Sequence, residues 1–354
     1  MNFCYKFPVV RGVQAGREYY IAMVPLDTLE KLFPNENEYV LPENRAQRRL
    51  NEPRIPKIKK YILENRDSYV FSALAASIDG KHQFIPSNQG ELGILEVDMN
   101  AKFLINDGQH RKAAIIAALE EDSTIGNETI SVVFYEDQGL ARSQQMFTDL
   151  NKHAVKTSNS IAELYDSRDQ LAVATRTMIL EIPFLDEYVD RERDNLGKFS
   201  SSLFALNNFY TANKKILGRR EYSVEFEYFL KKFWKSVVDH MLPWQDLVRR
   251  DITKRDLREQ YIASQAVVIK ALGRIGAALI DEDINTIDNK LKALERINWR
   301  RNASIWEGRV IRNDGKMLTS NMAIVLAGNV IKKELDLALT EEEDFAEAKF
   351  GKNK

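Results

Sequence analysis

The chain has 354 residues, of which 44% are hydrophobic and 29% charged, a balance typical of a soluble globular protein long enough for two domains. Cys4 is its only cysteine, which excludes an internal disulfide and any metal site built from several thiolates. Its formal net charge of −1 does not by itself indicate a nucleic-acid binder. The four histidines show no metal-ligand spacing, and there is neither a signal-peptide pattern nor an apolar run long enough to span a membrane, so the sequence predicts a cytoplasmic protein.

The first 34 residues predict a β-hairpin followed by a short helix. Apolar residues alternate between Asn2 and Val10, a second apolar run covers Arg17 to Val24, and residues 12–16 supply the loop. Leucines at helical spacing follow, and Pro34 ends that helix. None of these residues indicates a particular chemistry.

A basic segment follows at residues 42–66, where eight lysines and arginines stand against three glutamates. Pro53 and Pro56 divide it into an arginine-rich loop and a helix that buries Tyr61 and its apolar neighbours. The cations either form a solvated face or contact DNA phosphates, where each neutralised phosphate releases counterions. The candidate DNA-binding residues are Arg45, Arg48, Arg49, Lys57 and Lys60.

Residues 69–137 predict the order strand, strand, helix, strand, which is typical of a small mixed α+β domain. The apolar run at 69–78 forms the first strand, and a polar loop with Pro86 leads to the second at 92–99. Thr129 to Tyr135 is β-branched and aromatic, which favours a strand.

The helix of this domain begins after the turn Asp107-Gly108, where glycine tolerates a positive φ. Its first turn carries three cations, His110, Arg111 and Lys112. Cations there oppose the helix dipole, so an anion such as a phosphate should balance them. The alternative is that Arg111 pairs with Asp107 or Asp98 and that His110 is an ordinary histidine packed between strand and helix.

Residues 138–152 predict a further helix that ends near Asn151. Asn151 either caps that helix in the left-handed conformation or binds a base, sugar or phosphate. Ser158 and Ser160 follow without an acid–base partner nearby in sequence, so neither is predicted to be a nucleophile.

Beyond residue 160 the apolar residues recur with a period near 3.6, which predicts an all-helical domain. The predicted helices are 161–182, 204–217, 224–241, 253–280, 284–294 and 322–339. Basic clusters recur in this half, and negative charge is concentrated in the tail at residues 341–344.

One of these clusters combines arginines with tryptophans, a mixture that suits phosphate contact and base stacking. Arg300 and Arg301 are its candidate DNA-binding residues. The alternative is that Trp299 and Trp306 are core anchors beneath exposed arginines. The other clusters are Lys214, Lys215, Arg219 and Arg220, and Arg249, Arg250, Lys254, Arg255 and Arg258.

The pentapeptide at 107–111, Asp-Gly-Gln-His-Arg, resembles the signature of DGQHR-domain proteins. These are similar to the DndB-type proteins of bacterial DNA phosphorothioate modification systems and, more distantly, to the ParB and sulfiredoxin superfamily. There a Gly-x-x-Arg turn entering a helix holds nucleotide phosphates, and residues 147–151 look like the Phe-x-x-x-Asn element of DGQHR proteins. The phosphate-binding or nucleotide-binding residues implied by the resemblance are Asp107, Gly108, Gln109, His110, Arg111 and Asn151.

Together these observations predict an α+β fold with a ParB/sulfiredoxin-like mixed-sheet domain at residues 1–157 and an all-helical domain at 158–354. The resemblance implies a DNA-binding regulatory or accessory protein of a phosphorothioate modification system, a transcriptional repressor of the modification genes. Its implied partners are double-stranded DNA and other proteins of the system. The resemblance leaves open whether the protein forms a homo-oligomer.

Two other functions are compatible with these residues. One is a nucleotide-binding switch or nucleoside triphosphatase of ParB-like type that takes ATP or CTP with Mg²⁺. The other is a protein-interaction scaffold in which the pentapeptide is structural. No catalytic residue and no resident metal ligand is predicted, because neither an acid–base pair nor a carboxylate pair of suitable spacing is visible.

Overall fold

The computed structural model describes residues 3–34, 50–88, 90–136, 145–146, 149–150, 157–197 and 199–352. The chain divides into two compact units, Met1–Val155 and Lys156–Lys354. The first contains a mixed sheet with a few helices, and the second is almost entirely helical. The predicted α+β class is therefore confirmed.

Seven strands form a single sheet among the described residues of the first unit. They are β1 Cys4–Gln14, β2 Arg17–Pro25, β3 Leu74–Asp79, β4 His82–Pro86, β5 Leu92–Asp98, β6 Lys102–Asp107 and β7 Thr129–Glu136. Their order across the sheet is β4-β5-β1-β2-β7-β3-β6. Neighbouring strands are antiparallel except β3 and β7, which are parallel because the chain crosses over between them through β6 and a helix.

The sheet differs from the predicted one at two places. The N-terminal hairpin is longer, since β1 continues to Gln14 and the turn shrinks to Ala15 and Gly16. The predicted polar loop after the first central strand contains β4, which pairs with β5 through contacts such as Ile85 with Ile94. This edge strand has little apolar alternation of its own, so its partner strand decides its conformation.

One face of the sheet carries the core of the first unit. Tyr20, Ala22 and Val24 alternate onto this face and are buried. They share one hydrophobic cluster with Ile62 and Ile115, which come from two helices that pack against each other. The helices whose bounds fall within the described residues of this unit are α1 Leu29–Leu32, α2 Ile55–Glu64 and α3 Gln109–Leu119.

Eleven helices lie in the described part of the second unit, along with a two-residue parallel strand pair, Val189–Asp190 with Phe204–Ala205. The helices are α4 Asn159–Tyr165, α5 Gln170–Glu181, α6 Pro183–Tyr188, α7 Leu206–Leu217, α8 Val224–His240, α9 Leu242–Arg249, α10 Lys254–Gln260, α11 Ala266–Leu279, α12 Ile284–Leu291, α13 Asn321–Glu334 and α14 Glu341–Lys352. None of the helices described is long and apolar enough to cross a bilayer.

Two predicted long helices are interrupted. The 161–182 segment breaks between α4 and α5 because the Asp169 side chain accepts hydrogen bonds from the backbone of Leu171 and Ala172 and so starts a new helix. The 253–280 segment breaks between α10 and α11, where the backbone of Tyr261 forms a bridge with that of Arg300. A contact between residues so far apart in sequence leaves no periodic signal.

The core of the second unit contains a buried polar group among aromatic rings. Asn213 is fully buried on α7, donates to Thr175 Oγ1 at 2.9 Å and accepts from the indole N–H of Trp234 at 2.7 Å. These bonds satisfy side chains from three helices, which fixes how the helices pack.

Candidate phosphate and DNA interface

The signature turn lies at the edge of the sheet, where β6 ends and α3 begins. Gly108 has a φ of 101°, in the left-handed region that favours glycine. A Cβ at this position would lie 2.4 Å from Leu74 Cδ2 and 3.1 Å from Arg111 Nη2. Only glycine therefore lets the chain turn here with Leu74 and the guanidinium in place.

The Arg111 side chain folds back from α3 onto the end of β6, the strand before its helix. Its Nη2 donates to Asp107 Oδ2 at 2.6 Å, its Nη1 donates to the Ser72 hydroxyl, and its side chain is 20% exposed. The pair with Asp107 is one of the two pairings that the sequence offered. Arg111 Nε is buried without a hydrogen-bond partner among the described residues. The guanidinium is thus partly neutralised, and its Nε–H donor is unused within the described residues.

His110 connects the turn to the basic segment that precedes it in sequence. Its Nε2 accepts a hydrogen bond from the backbone N–H of Asn51 at 2.9 Å, so that nitrogen carries no proton in this arrangement. Asn51 leads into α2, and α2 packs against α3. The fold therefore brings the described part of the basic segment 42–66 next to the pentapeptide at 107–111, two regions that the sequence marked separately.

The lysines of α2 differ in how far their charge is balanced. Lys59 Nζ lies 2.6 Å from Glu121 Oε2, whereas Lys60 Nζ lies 3.5 Å from Glu64 Oε1 on the exposed surface. Lys57 is exposed, and no carboxylate of the described residues lies within 4 Å of its ammonium group. Four of the candidate residues fall outside the described residues: Arg45, Arg48, Arg49 and Asn151.

The second unit presents the other predicted arginines. Arg300 is exposed, its guanidinium lies 5.0 Å from the ring centroid of Tyr261, and it donates to Gln260 Oε1 at 3.3 Å. Arg301 is half-buried, and its Nε has no partner in the part of the chain that the structure describes.

The tryptophans beside these arginines are core residues. Trp299 is 2% exposed, Trp306 is fully buried, and their stacked ring centroids lie 5.6 Å apart. Both indole N–H groups donate to backbone carbonyls, those of Leu294 and Asn298. The rings hold the arginine segment from beneath and offer no face to a nucleobase.

A third basic cluster, at residues 249–258, is partly neutralised. Arg249 pairs with Asp246 and Asp251, and Arg255 Nε lies 3.1 Å from Glu259 Oε2. Two of the five cations of this cluster are therefore matched by neighbouring carboxylates.

A cavity of about 340 Å³ lies at the end of the N-terminal hairpin. Tyr19 and Tyr135 stack within it with ring centroids 5.9 Å apart. Met146 also lines the cavity, and its sulfur accepts a hydrogen bond from the side-chain amide of Asn106. Asn106 lies on β6, directly before the signature pentapeptide, so Met146 connects the cavity to that strand. Its other lining residues are Gln14, Ala15, Arg17, Glu18, Glu136, Asp149 and Leu150.

One strongly perturbed carboxyl group was not identified from the sequence. Glu163 lies on α4, and its Oε2 is buried without a partner among the described residues. Burial raises the pKa of this carboxyl to about 7; the charges of Asp194 and Asp169 add to the rise and that of Lys214 opposes it. These neighbours come from different segments, so only the folded chain reveals the shift.

The raised pKa of Glu163 predicts a pH-dependent stability. Folding favours the neutral carboxyl, so the free energy of unfolding should fall as pH rises from the unfolded pKa, about 4.5, to about 7. Glu163→Gln keeps the neutral shape, and in urea unfolding it should gain about 2 kcal/mol over the wild type at pH 8. At pH 5 the gain should be less than about a third of that. Equal gains at both pH values, or the same gain for exposed Glu221→Gln, would contradict this prediction.

Comparison with known proteins gives one match. The family model DndB, described as DNA-sulfur modification-associated, matches residues 7–338. This range includes the described candidate residues of both units, at 57–60, 107–111 and 300–301. Comparison with curated proteins found no match, and comparison with solved structures found none either. The description says nothing of the DGQHR and ParB-like resemblances, which stay predictions.

Proposed function

Since the chain belongs to the DndB family, which is associated with DNA sulfur modification, we propose that it binds duplex DNA and represses the genes of a phosphorothioate modification system. The match over residues 7–338 is the observation that carries the proposal. A protein that regulates such a system needs a surface for phosphates and a way to prefer one sequence, but it needs no chemistry of its own.

Exposed cations in both units support the proposal. Lys57 presents an ammonium that no carboxylate of the described residues approaches within 4 Å, and Arg300 presents a guanidinium above the buried ring of Tyr261. Each such cation that meets a phosphate releases counterions and makes binding salt-dependent. The formal net charge of −1 means that contact depends on these local surfaces rather than on the whole molecule.

Gel shifts with a duplex from the promoter of the modification genes test the proposal. The protein should bind this duplex more tightly than a scrambled one, and the logarithm of the binding constant should fall linearly with that of the salt concentration. No shift at low salt, or equal affinity for both duplexes, would contradict repression by promoter binding.

Lys57→Ala should weaken both complexes by a similar factor and reduce the magnitude of the salt slope by about 0.9, because one phosphate contact is lost. Lys235→Ala is the control, since Lys235 pairs with Asp239 at 2.6 Å on α8. It should leave the slope unchanged. An unchanged slope for Lys57→Ala would remove this lysine from the interface.

A nucleotide-binding switch is a second candidate function, favoured by the unused Nε of Arg111 at a helix N-terminus and by the aromatic cavity near β6. ATP or CTP with Mg²⁺ should then raise the unfolding temperature of the wild type, and Arg111→Ala should abolish the rise. Ser72→Ala, which removes only a neighbour of the guanidinium, should keep it. A lower unfolding temperature for Arg111→Ala together with no nucleotide response in the wild type would identify the ion pair as purely structural.

A further inference from the structure

The last helix, α14, is held to the second unit largely by charge. Glu343 is 1% exposed and lies between two cations, 2.7 Å from Lys332 Nζ and 2.8 Å from Arg274 Nη2. Lys332 and Arg274 are themselves only 3% and 9% exposed. They come from α13 and α11, so this carboxylate reaches across two helices of the core.

A second carboxylate, one helical turn further along α14, repeats the arrangement. Glu347 accepts from Arg309 Nη1 at 2.8 Å and from Lys333 Nζ at 2.9 Å. It also accepts from the side-chain amide of Asn329 at 3.1 Å. The two glutamates thus present two anionic groups, one turn apart, to a single face.

Apolar contact contributes little to this docking. Ala346 is buried against Val325 and Leu326, and Phe350 is partly buried beside them. Phe345 is 70% exposed. A helix with a purely structural role is expected to bury more apolar surface, because the burial of apolar surface is the main source of packing free energy.

The cations beneath the helix depend on it for neutralisation. Four of them form what we call the basic surface: Arg274, Arg309, Lys332 and Lys333. In the described chain the only carboxylates within 4 Å of these four belong to α14, namely Glu342, Glu343 and Glu347. If α14 moved away, four cations would face solvent close together without a counter-charge.

The family model matches the residues of the basic surface but not those of α14. All four cations lie within residues 7–338, whereas α14 begins at Glu341, outside the matched range. The basic surface therefore lies within the range that the family model matches, and the acidic helix that covers it lies outside that range.

We propose that the basic surface is a binding site for the phosphates of duplex DNA and that α14 is an acidic cover which DNA displaces. The proposal rests on the proposed function and deepens it, because it identifies a surface that meets the backbone. The carboxylates of Glu343 and Glu347 occupy the positions that phosphate oxygens would take. Exchange of one set of anions for another conserves the pairing of the buried cations, which is costly to leave broken.

A pair of double variants with equal change in charge tests the cover. Glu343→Gln with Glu347→Gln removes the two carboxylates that hold the basic surface, and should tighten binding of the promoter duplex by about tenfold or more. Glu341→Gln with Asp344→Asn removes the same charge from the exposed side of α14, where no ion pair of the described residues involves either residue. This control should change affinity by about twofold or less.

Hydrogen exchange of the wild type provides a measurement that needs no variant. Adding the duplex should speed exchange of the backbone amides of residues 342–352, because the displaced helix loses its packing. This measurement tests whether DNA displaces α14 even if the double variant of Glu343 and Glu347 fails to fold. Unchanged or slower exchange on DNA binding would overturn the cover.

The outcomes separate this inference from the proposed function. If the wild type binds DNA but the two double variants bind alike, the cover fails and the proposed function stands. If neither the wild type nor the variant with the freed basic surface binds DNA, both fail. If only the freed variant binds, DNA does not displace α14 from the wild type, so displacement by DNA is overturned and promoter binding by the wild type fails with it.

Discussion

Gly108→Ala is expected to lower the free energy of unfolding by about 3 kcal/mol, measured by urea denaturation. The left-handed φ of 101° strains any residue with a Cβ. The new methyl group would also meet Leu74 at 2.4 Å and the Arg111 guanidinium at 3.1 Å. Leu74 is fully buried, so it has no room to withdraw. The turn and the ion pair between Arg111 and Asp107 should be disturbed together.

Gly16→Ala separates the cost of backbone strain from the cost of the close contacts that a new Cβ makes. Gly16 has a φ of 75° in the hairpin turn, and a Cβ there would meet nothing within 4 Å. It should cost only the backbone strain, about 1 kcal/mol. Equal losses for the two variants would mean that the packing around Leu74 yields, and that the turn tolerates more than glycine.

Asn213→Ala is expected to destabilise the helical unit by about 3 kcal/mol. It removes the acceptor of the Trp234 indole N–H and the donor to Thr175 in a site that water does not reach, and it leaves a small cavity. Thermal unfolding, followed by the fluorescence of the tryptophans, measures the loss.

Asn208→Ala is the matched control for this variant. Asn208 lies on the same helix, α7, but is only partly buried, and the Ala variant should be neutral or slightly stabilising because alanine favours helix. A loss below about 1 kcal/mol for Asn213→Ala would show that the buried bonds contribute little net stability.

The two candidate anion sites share one physical feature. Arg111 at the signature turn and the basic surface under α14 are each already paired with carboxylates of the chain, Asp107 in one case and Glu343 and Glu347 in the other. Binding a phosphate at either place exchanges one anion for another. Such exchange releases fewer counterions than contact by free cations, so the salt slope should be smaller than the count of basic residues suggests.

The docking of α14 also has a pH signature. Burial alone would raise the pKa of Glu343, but hydrogen bonds from Lys332, the Thr340 backbone and Arg274 outweigh it and bring it to about 2. Hydrogen bonds from Arg309 likewise lower the pKa of Glu347 to about 2. Carboxyls depressed in this way stabilise the docked helix above pH about 4.5, and that stabilisation is lost as pH falls towards 2.

The amino-acid sequence alone determined the elements that depend on short-range patterns. Alternation predicted the N-terminal hairpin, and β-branched and aromatic residues predicted the strand at 129–135. The 3.6 period predicted the helical second half, and Asp107-Gly108 predicted the turn before α3. Each follows from steric and hydrophobic preferences that act within about a dozen residues, so they are visible without the fold. The residues of the candidate interface were chosen from clustered charge and from the family resemblance, and their role in binding stays a prediction.

Only the tertiary structure decided which charges meet. The sequence left Asp107 and Asp98 open as partners of Arg111, and the fold selected Asp107. The fold also buried Trp299 and Trp306 and paired two arginines of the 249–258 cluster with carboxylates. The acidic tail forms a helix whose glutamates pair with cations from distant segments, for example Glu343 with Arg274. Electrostatic partners and burial depend on distances in space between residues far apart along the chain, and a linear sequence does not contain those distances.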